Sequence, residues 1–551
     1  MKTRQTKKNS NVRSIPNAKA FVKTIIGEVP YAVELYWLVH HRDKQIGSRF
    51  SLTQLSKRIP SIVDFLHHQK AAIEKPKKIF LFASLHYWIE HVALVGSAFA
   101  GLGHDVYLGY LPYHDWLNEI NRFDLKRQNI YAAEVLSKLS PFVKPISFLG
   151  LHAAYTMLPP ELQTIVEKIS TFDAQYTLQK EIVDSTEPIY QLRLRRNARA
   201  ARCAFTWLNA NKPDTVLVPN ASIQEFAVVY EVARYLGINV VSYEFSDQQQ
   251  RVWLAQNRKV MRQETDQMWE AYQDVALTRT EKQNIRDLFE ARKKASVWKN
   301  FSRLWQPAPA QGVKIARQEL GLDERPVALL ATNVLGDSLT LGRDIFTNTM
   351  EEWIVRTLQY FLGRPDIQFI IRVHPGEVLT HGQSMVEVVD RMQPHLPEHI
   401  RLIKPEDKTN TYDLIAAADV GLVYTTTVGL EMAMSGVPVI VVGDTHYRER
   451  GFTQNPRTWR RYYRLIGDIL DNPSAYRLSS EEIDFAWAYA YRFFFDFPRP
   501  FPWHARRKWE DYDNYPIDQL LSTEGKKKFL STFNYLAGES IDWGMIRDGK
   551  V

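Results

Sequence analysis

Cysteine is almost absent from this sequence, which contains one, Cys203, in 551 residues. A single cysteine excludes an internal disulfide framework and fits a reducing cytoplasm, where we expect the protein to reside. Long apolar runs are missing too, because no stretch reaches the roughly 18 consecutive apolar residues that a membrane span requires. We therefore expect neither a spanning helix nor a secretory signal.

Three other signals are lacking. The sequence shows no nucleic-acid-binding module, no short internal repeat and no Asp-x-Asp pair directly after a predicted strand. We therefore expect no nucleic-acid partner, no cofactor and no metal. The net charge of +8, with a pI of about 9.1, nevertheless favours anionic partners such as nucleotide-activated substrates or acidic lipid headgroups.

The composition is that of a globular protein, with 45% hydrophobic and 24% charged residues, and the length favours two or three domains. Residues 1–18 are polar and basic, which predicts a disordered arm. Such an arm is either a plain solvated tail or a peripheral contact with the inner face of an anionic membrane. Residues 19–72 repeat apolar positions at helical spacing and predict a helical extension.

Residues 73–300 alternate strand and helix and predict a first Rossmann-like domain, which would bind the acceptor. The strand KIFLFAS begins at Lys78, and further strands begin near His104, at Asp214 and in INVVSYEF. A mainly helical insertion is expected over 116–210, and a polar, helical bridge between domains over 247–311. The candidate catalytic residues follow strands at the expected ligand-binding edge of the sheet, and they are His86, Glu90, His91 and Glu244.

Residues 301–472 predict a second Rossmann-like domain, which would bind the donor, and residues 473–551 a helical extension rich in Trp, Tyr and Phe. The stretch Val420–Thr453 contains an apolar run, three hydroxyl residues, a short amphipathic segment and a second apolar run. This order predicts a strand, loop, helix and strand of a parallel sheet. The loop Thr425–Gly429 then offers hydroxyls and backbone N–H groups to a phosphate or ribose, unless the hydroxyls only cap the helix.

Four loops of the second domain should converge at one edge of its sheet. Hydroxyl and backbone donors, together with His374 and Arg372, suit a phosphate, and Glu431 suits ribose hydroxyls unless it is an exposed helix residue. The candidate donor-binding residues are Asn333, Gly336, Asp337, Ser338, Arg372, His374, Pro375, Glu377, Glu406, Thr425, Thr426, Thr427, Gly429, Glu431, Arg448 and Arg450.

Four motifs in order carry a resemblance to a known group, and they are RVHPGE, AADVGLVYTTTVGLE, SGVPVIVVG and YRERGFT. This set resembles the C-terminal domain of bacterial capsule and surface-polysaccharide glycosyltransferases of the GT-B fold, including the transferases of the acidic sugar Kdo. The His-Pro pair also resembles the CMP-binding motifs of bacterial sialyltransferases, whose acidic base loop has no counterpart here. The resemblance implies that His374 contacts the donor phosphate, Thr425–Thr427 bind phosphate or ribose, and Glu431 holds the nucleotide.

The fold class expected is therefore α/β, with two doubly wound domains and helical extensions at both ends. The function expected is metal-independent transfer of a sugar, from a CMP-Kdo-like or UDP- or GDP-sugar donor, to a surface polysaccharide or glycolipid. Two alternatives stay open. One is a nucleotide-sugar epimerase, and the other is a non-catalytic glycan-assembly protein that retains the fold.

Overall fold

A computed structural model of the chain describes residues 18–40, 50–69, 75–151, 153, 156–304 and 306–549. The predicted basic arm, residues 1–18, lies outside these apart from Ala18. Among the described residues, no helix combines the length and apolarity needed to cross a bilayer.

Twelve strands are present in the described part of the chain. They are β1 Lys78–Ser84, β2 Asp105–Leu111, β3 Val143–Ser147, β4 Thr215–Pro219, β5 Asn239–Phe245, β6 Arg251–Gln256, β7 Val327–Ala331, β8 Gln368–Arg372, β9 Ile400–Ile403, β10 Val420–Val423, β11 Val439–Val441 and β12 Arg499–Pro500.

Helices cover both ends of the chain and connect the strands. Those before the second sheet are α1 Ala18–Glu28, α2 Ala32–His40, α3 Thr53–His68, α4 His86–Leu102, α5 Arg122–Leu136, α6 Pro160–Leu178, α7 Pro188–Asn211, α8 Gln224–Tyr235, α9 Asp266–Tyr272, α10 Arg279–Lys293 and α11 Val313–Glu319. Those that follow are α12 Met350–Leu362, α13 Met385–Met392, α14 Thr411–Ala417, α15 Val428–Met434, α16 Trp459–Asp471, α17 Pro473–Tyr476, α18 Ser480–Tyr491, α19 Lys508–Asn514, α20 Ile517–Leu521, α21 Thr523–Leu536 and α22 Trp543–Arg547.

The strands form two sheets, ordered β12-β6-β5-β4-β1-β2-β3 and β11-β10-β7-β8-β9. All pairs are parallel except those of β6 with β5 and of β12 with β6. The five parallel strands of each sheet lie in the same order, β5-β4-β1-β2-β3 in the first sheet and β11-β10-β7-β8-β9 in the second. In both sheets the strand order reverses in the middle, between β1 and β4 and between β7 and β10. The predicted class, α/β with two doubly wound sheets, is confirmed.

Alternating side chains explain why the second sheet carries helices on both faces. Val327 and Leu329 pack in one apolar cluster, and Ala328 and Leu330 pack in another on the opposite face. Successive residues of a strand point to opposite faces, so an unbroken Val, Leu and Ile run buries both.

Three strands lie where helix was expected. β3 lies inside the 116–210 insertion, β6 inside the 247–311 bridge, and β12 inside the C-terminal extension. Each lies towards an edge of the first sheet, and β3 and β12 are partly exposed. These strands lack the dense apolar run that identified the central ones, so their expected helical state is corrected here.

Candidate functional site

The loops after β7 and β10 meet where the order of the second sheet reverses. The amide side chain of Asn333 accepts a hydrogen bond from the Thr425 backbone N–H (3.2 Å), and the Thr425 hydroxyl donates to the Leu339 carbonyl (2.9 Å). Ligands of doubly wound sheets bind in the crevice at this reversal. Thr425 is nearly buried and holds the two loops together at that point.

The neighbouring hydroxyl residues differ in their surroundings. The Thr426 carbonyl accepts from the Tyr447 hydroxyl (2.5 Å), whereas Thr427 is half-buried and makes no side-chain capping bond to α15. A Cβ atom on Gly429 would lie 2.5 Å from the Tyr447 hydroxyl oxygen. Gly429 therefore allows α15 to pack closely on Tyr447.

His374 begins the loop after β8. Its Nδ1 accepts from the Gly376 N–H (3.0 Å), which leaves the proton of the neutral ring on Nε2. Burial lowers the pKa of His374, while the charge of Asp337 opposes that shift and those of Arg372 and Arg303 add to it. His374 is therefore a neutral group near neutral pH, and its charged neighbours come from three different segments.

The turn after β7 holds the remaining residues of that loop. The Asp337 carboxylate accepts from the Leu339 N–H (2.9 Å) and from the Ser338 hydroxyl (3.3 Å). Gly336 has φ +67°, and a Cβ there would lie 2.7 Å from the Gln179 Cα atom. Gln179 lies directly after α6, so this turn touches the other domain.

Two of the four predicted residues near β8 and β9 make supporting contacts. Arg372 is buried beneath the crevice and donates to the Lys404 carbonyl (2.6 Å), and burial lowers its pKa to about 10. Glu377 accepts from the Met385 N–H at the start of α13 (2.7 Å), and burial raises its pKa to about 7. Pro375 opens the short turn that carries Glu377, and Glu406 is exposed.

Glu431 lies in a buried ion pair. Its carboxylate binds the Arg292 guanidinium of α10 (3.0 Å), and both side chains are at least 93% buried. Burial raises the pKa of Glu431, and the Arg292 charge opposes that shift. Glu431 is thus not an exposed helix residue, and a ribose would have to compete with Arg292 for its carboxylate.

Arg448 and Arg450 bind protein groups. Arg448 is buried and donates to the Val441 and Pro456 carbonyls, the latter at 2.9 Å. Arg450 donates to Thr265 (3.2 Å) and pairs with Asp266, at the start of α9. Both guanidinium groups therefore tie this loop to the protein itself.

A cavity of about 710 Å³ opens at the corresponding edge of the first sheet. Glu244, the penultimate residue of β5, lines it. Its carboxylate accepts from the Asn220 side chain (2.8 Å) and the Phe245 N–H (3.0 Å). Burial raises the pKa of Glu244, and the charges of Arg303 and Arg506 act against that rise.

The other three catalytic candidates do not line this cavity. His91 is fully buried between the Tyr243 hydroxyl (3.1 Å) and the Trp503 carbonyl (3.0 Å), and burial lowers its pKa to about 3. The buried Glu90 pairs with Lys508 (3.2 Å) and accepts from the Trp509 indole (3.0 Å). His86 packs edge-on against Phe50 and Tyr87, and burial lowers its pKa.

Several residues that line this cavity are not among the site residues predicted from the sequence. They are Tyr176 of α6, Arg303 of the interdomain segment, and His504, Arg506 and Arg507 of the C-terminal extension. Burial raises the pKa of Tyr176 to about 12, and the charges of Asp337 and Glu244 add to the rise. The charge of a carboxylate from each domain therefore acts on the Tyr176 hydroxyl. The basic run HARRK at 504–508 is the one sequence pattern that could have suggested a site at His504, Arg506 and Arg507.

The two domains also interlock beside the crevice. The Gln179 side chain accepts from the N–H groups of His381 and Gly382 (2.9 and 3.0 Å). The Glu181 carboxylate accepts from the Met350 and Glu351 N–H groups (2.7 and 2.8 Å) and so caps α12 across the interface.

No group of three or more residues able to ligate a metal occurs among the described residues. No protein-family model matches the chain, and no curated protein matches it.

Solved structures do match it, at low identity. A β-Kdo 2,4-transferase, KpsC of Thermosulfurimonas dismutans, is 14% identical with a TM-score of 0.35, and the match covers 59% of this chain and 87% of that one. Sucrose-phosphate synthase from Thermosynechococcus elongatus is 13% identical, with a TM-score of 0.27 and coverages of 76% and 95%. UDP-GlcNAc 2-epimerase from Neisseria meningitidis is 11% identical, with a TM-score of 0.23 and coverages of 76% and 99%. A Kdo transferase is thus among the similar structures.

Proposed function

We propose that this protein is a glycosyltransferase that moves a sugar from a nucleotide-activated donor to a hydroxyl of a surface glycan or glycolipid. The observation that carries the proposal is the position of Glu244. It lines a cavity at the ligand-binding edge of the first sheet together with Tyr176 of α6, and Gln179, directly after α6, meets Gly336 of the second domain. The candidate base and a candidate donor loop therefore both border the end of α6.

The donor side suits a departing phosphate. Breaking the bond between the sugar and the nucleotide builds negative charge on the phosphate, which must be stabilised in the transition state. His374, with a proton on Nε2, and Arg303, whose charge acts on His374, are the groups that would do so. The Thr425–Thr427 loop at the reversal of the sheet would bind the nucleotide, CMP or a UDP or GDP moiety.

The acceptor side suits a base and an anionic glycan. A half-buried carboxylate with a raised pKa is a better proton acceptor than a fully exposed one, and positioned general bases contribute about 10² to 10⁴ in rate. Arg303, Arg506 and Arg507 line the same cavity and would attract an acidic sugar acceptor. We place the reaction at the cytoplasmic face of the membrane and without metal, so chelation should leave the rate unchanged.

The test combines a panel of CMP-, UDP- and GDP-sugars with mass spectrometry of the products. Glu244→Gln should lower kcat by about 10² or more while the nucleotide Kd stays the same, because only the base is lost. Glu482→Gln is the matched control, since Glu482 caps α18 outside the cleft. Binding of no nucleotide would instead indicate a non-catalytic protein, and a changed sugar nucleotide without acceptor would indicate an epimerase.

A further inference from the structure

Helices α1 and α2 are attached to the first domain through one side of each helix. Lys23 of α1 pairs with Asp124 of α5 (2.8 Å), and the Trp37 indole of α2 donates to Glu134 of α5 (2.7 Å). A Cβ on Gly27 would lie 2.7 Å from the Phe123 backbone nitrogen, so α1 lies directly on α5. The two helices are therefore held in a defined orientation.

Their remaining surface is apolar and exposed. Among the described residues, 18 large apolar side chains are exposed, and seven of them lie in this short region. Tyr31 is 80% exposed, Val39 68% and Leu35 64%. The full set, here called the α1–α2 apolar face, is Val22, Ile25, Val29, Tyr31, Leu35, Leu38 and Val39.

The composition of α2 makes this exposure unusual. Its sequence AVELYWLVH has only Glu34 and His40 as charged or ionisable polar residues, yet only Val33 and Trp37 are buried. A helix that is apolar all round is normally buried in protein or lipid. Exposed apolar surface of this kind marks a place where a partner binds.

Charge identifies the partner. From Met1 to Gly27 the sequence contains seven Lys and Arg residues and no Asp or Glu. An apolar helical face that follows a cationic stretch of sequence fits a bilayer with anionic headgroups, where apolar side chains enter the interface and cations bind the headgroups. A second copy of the chain is a poorer partner, because it would bring the same excess of cations to the contact.

We infer that the α1–α2 apolar face docks the protein on the surface of an anionic membrane. With nine residues, α2 is about 14 Å long, so it lies in the interface and does not span it. No cleft residue takes part, so this inference holds or fails independently of sugar transfer.

The test is co-sedimentation of the full chain with vesicles of phosphatidylcholine alone or mixed with phosphatidylglycerol. Leu35→Gln/Leu38→Gln should weaken binding to the mixed vesicles by about tenfold or more, because two side chains lose their apolar contact. Val297→Gln/Ile315→Gln alters exposed apolar residues elsewhere and should leave binding unchanged. Lys7→Gln/Lys8→Gln should weaken binding by about tenfold, and added salt should weaken it too.

Thermal unfolding checks that each variant is folded, which is expected because Leu35 and Leu38 are exposed. Equal binding by the leucine variant and the unaltered chain would overturn the inference, as would no binding to either vesicle. Sedimentation equilibrium adds a further outcome. A dimer that the leucine substitutions dissociate, without vesicle binding, would show that a second copy covers the face.

Discussion

The ionisation of Glu244 depends on opposing neighbours. Burial favours its neutral form, whereas hydrogen bonds from Asn220 and the Phe245 N–H and the charges of Arg303 and Arg506 favour the carboxylate. The net result is a pKa above the ordinary value of 4.5. A base must be deprotonated to act, so activity should rise as pH increases through this pKa.

Removal of Arg303 should therefore move the acid limb of the kcat/KM profile. In the unaltered protein the limb should lie above pH 4.5, and in Arg303→Gln it should lie higher still, because a charge that stabilises the carboxylate is gone. The pH dependence of kcat/KM measures this directly. Arg325→Gln is the control, since Arg325 pairs with Asp323 outside the cleft, and its limb should not move. An unshifted limb in Arg303→Gln would show that another group is the base.

Glu431 shows a different consequence of burial. Glu431→Ala should lower the free energy of unfolding by about 3–5 kcal/mol, because Arg292 would remain buried with its main partner removed. Urea unfolding measures the loss, and Arg292→Met/Glu431→Leu should recover much of it. A loss below about 1 kcal/mol would contradict the pair's structural role. Nucleotide affinity of the folded Glu431→Ala protein tests the ribose role separately.

At the scale of elements, the segment after α6 places one domain against the other. Gln179 fits between Gly336 and Gly382, where a Cβ on Gly382 would lie 2.3 Å from the Gln179 Cβ. Glu181 then caps α12. These contacts join the two domains beside the crevice, so we expect them to influence the donor binding that we propose.

Two glycines with nearly the same backbone φ angle allow the contact with Gln179 to be tested separately from backbone strain. Gly336 and Gly342 have φ of +67° and +66°, but a Cβ on Gly342 would meet no atom closer than 4.0 Å. Alanine should cost about 1–2 kcal/mol of stability at either position because φ is positive. Gly336→Ala alone should also weaken donor binding, measured by titration calorimetry, since it pushes Gln179 away. Equal donor affinities in the two variants would exclude a role for the contact between Gly336 and Gln179 in donor binding.

Strands at or next to the edges of the first sheet were the elements that pattern reasoning missed. The central strands β7, β8 and β10 are buried throughout, so an unbroken apolar run predicts them. β6 (RVWLAQ) pairs antiparallel with β5 and is buried only at its centre. Its strand state depends on that pairing, which no local window of sequence contains.

At the scale of the whole molecule, the C-terminal extension belongs to the first domain's core. Phe501, Trp503, Phe529 and Phe533 are at most 1% exposed and pack in the same cluster as the strands of the first sheet. The chain therefore passes between the two domains twice, once into the second domain and once back to the first.

A chain that ends after Pro498 should therefore fail to fold. Loss of one buried Phe or Trp side chain costs about 3–5 kcal/mol, and the whole stability of a domain is about 5–15 kcal/mol. Soluble yield and cooperative unfolding measured by circular dichroism test this. A chain that ends after Asp542 is the control, because α22 has no buried residue, and it should unfold cooperatively. Cooperative unfolding of the shorter chain would contradict the assignment.

The sequence by itself determined the parallel strands of both sheets and the loops at their ligand-binding edges. Apolar runs and turns are local patterns, and the backbone they specify brought Asn333 and Thr425 together as expected. Only the tertiary structure decided which polar side chains face the cleft. Glu90 is satisfied by Trp509, 419 residues later in the chain, and Glu431 by Arg292. Glu244 instead lines the cavity, together with Asn220, which donates a hydrogen bond to it, and Arg303, whose charge acts on it. Such long-range partnerships leave no periodicity in the sequence to detect.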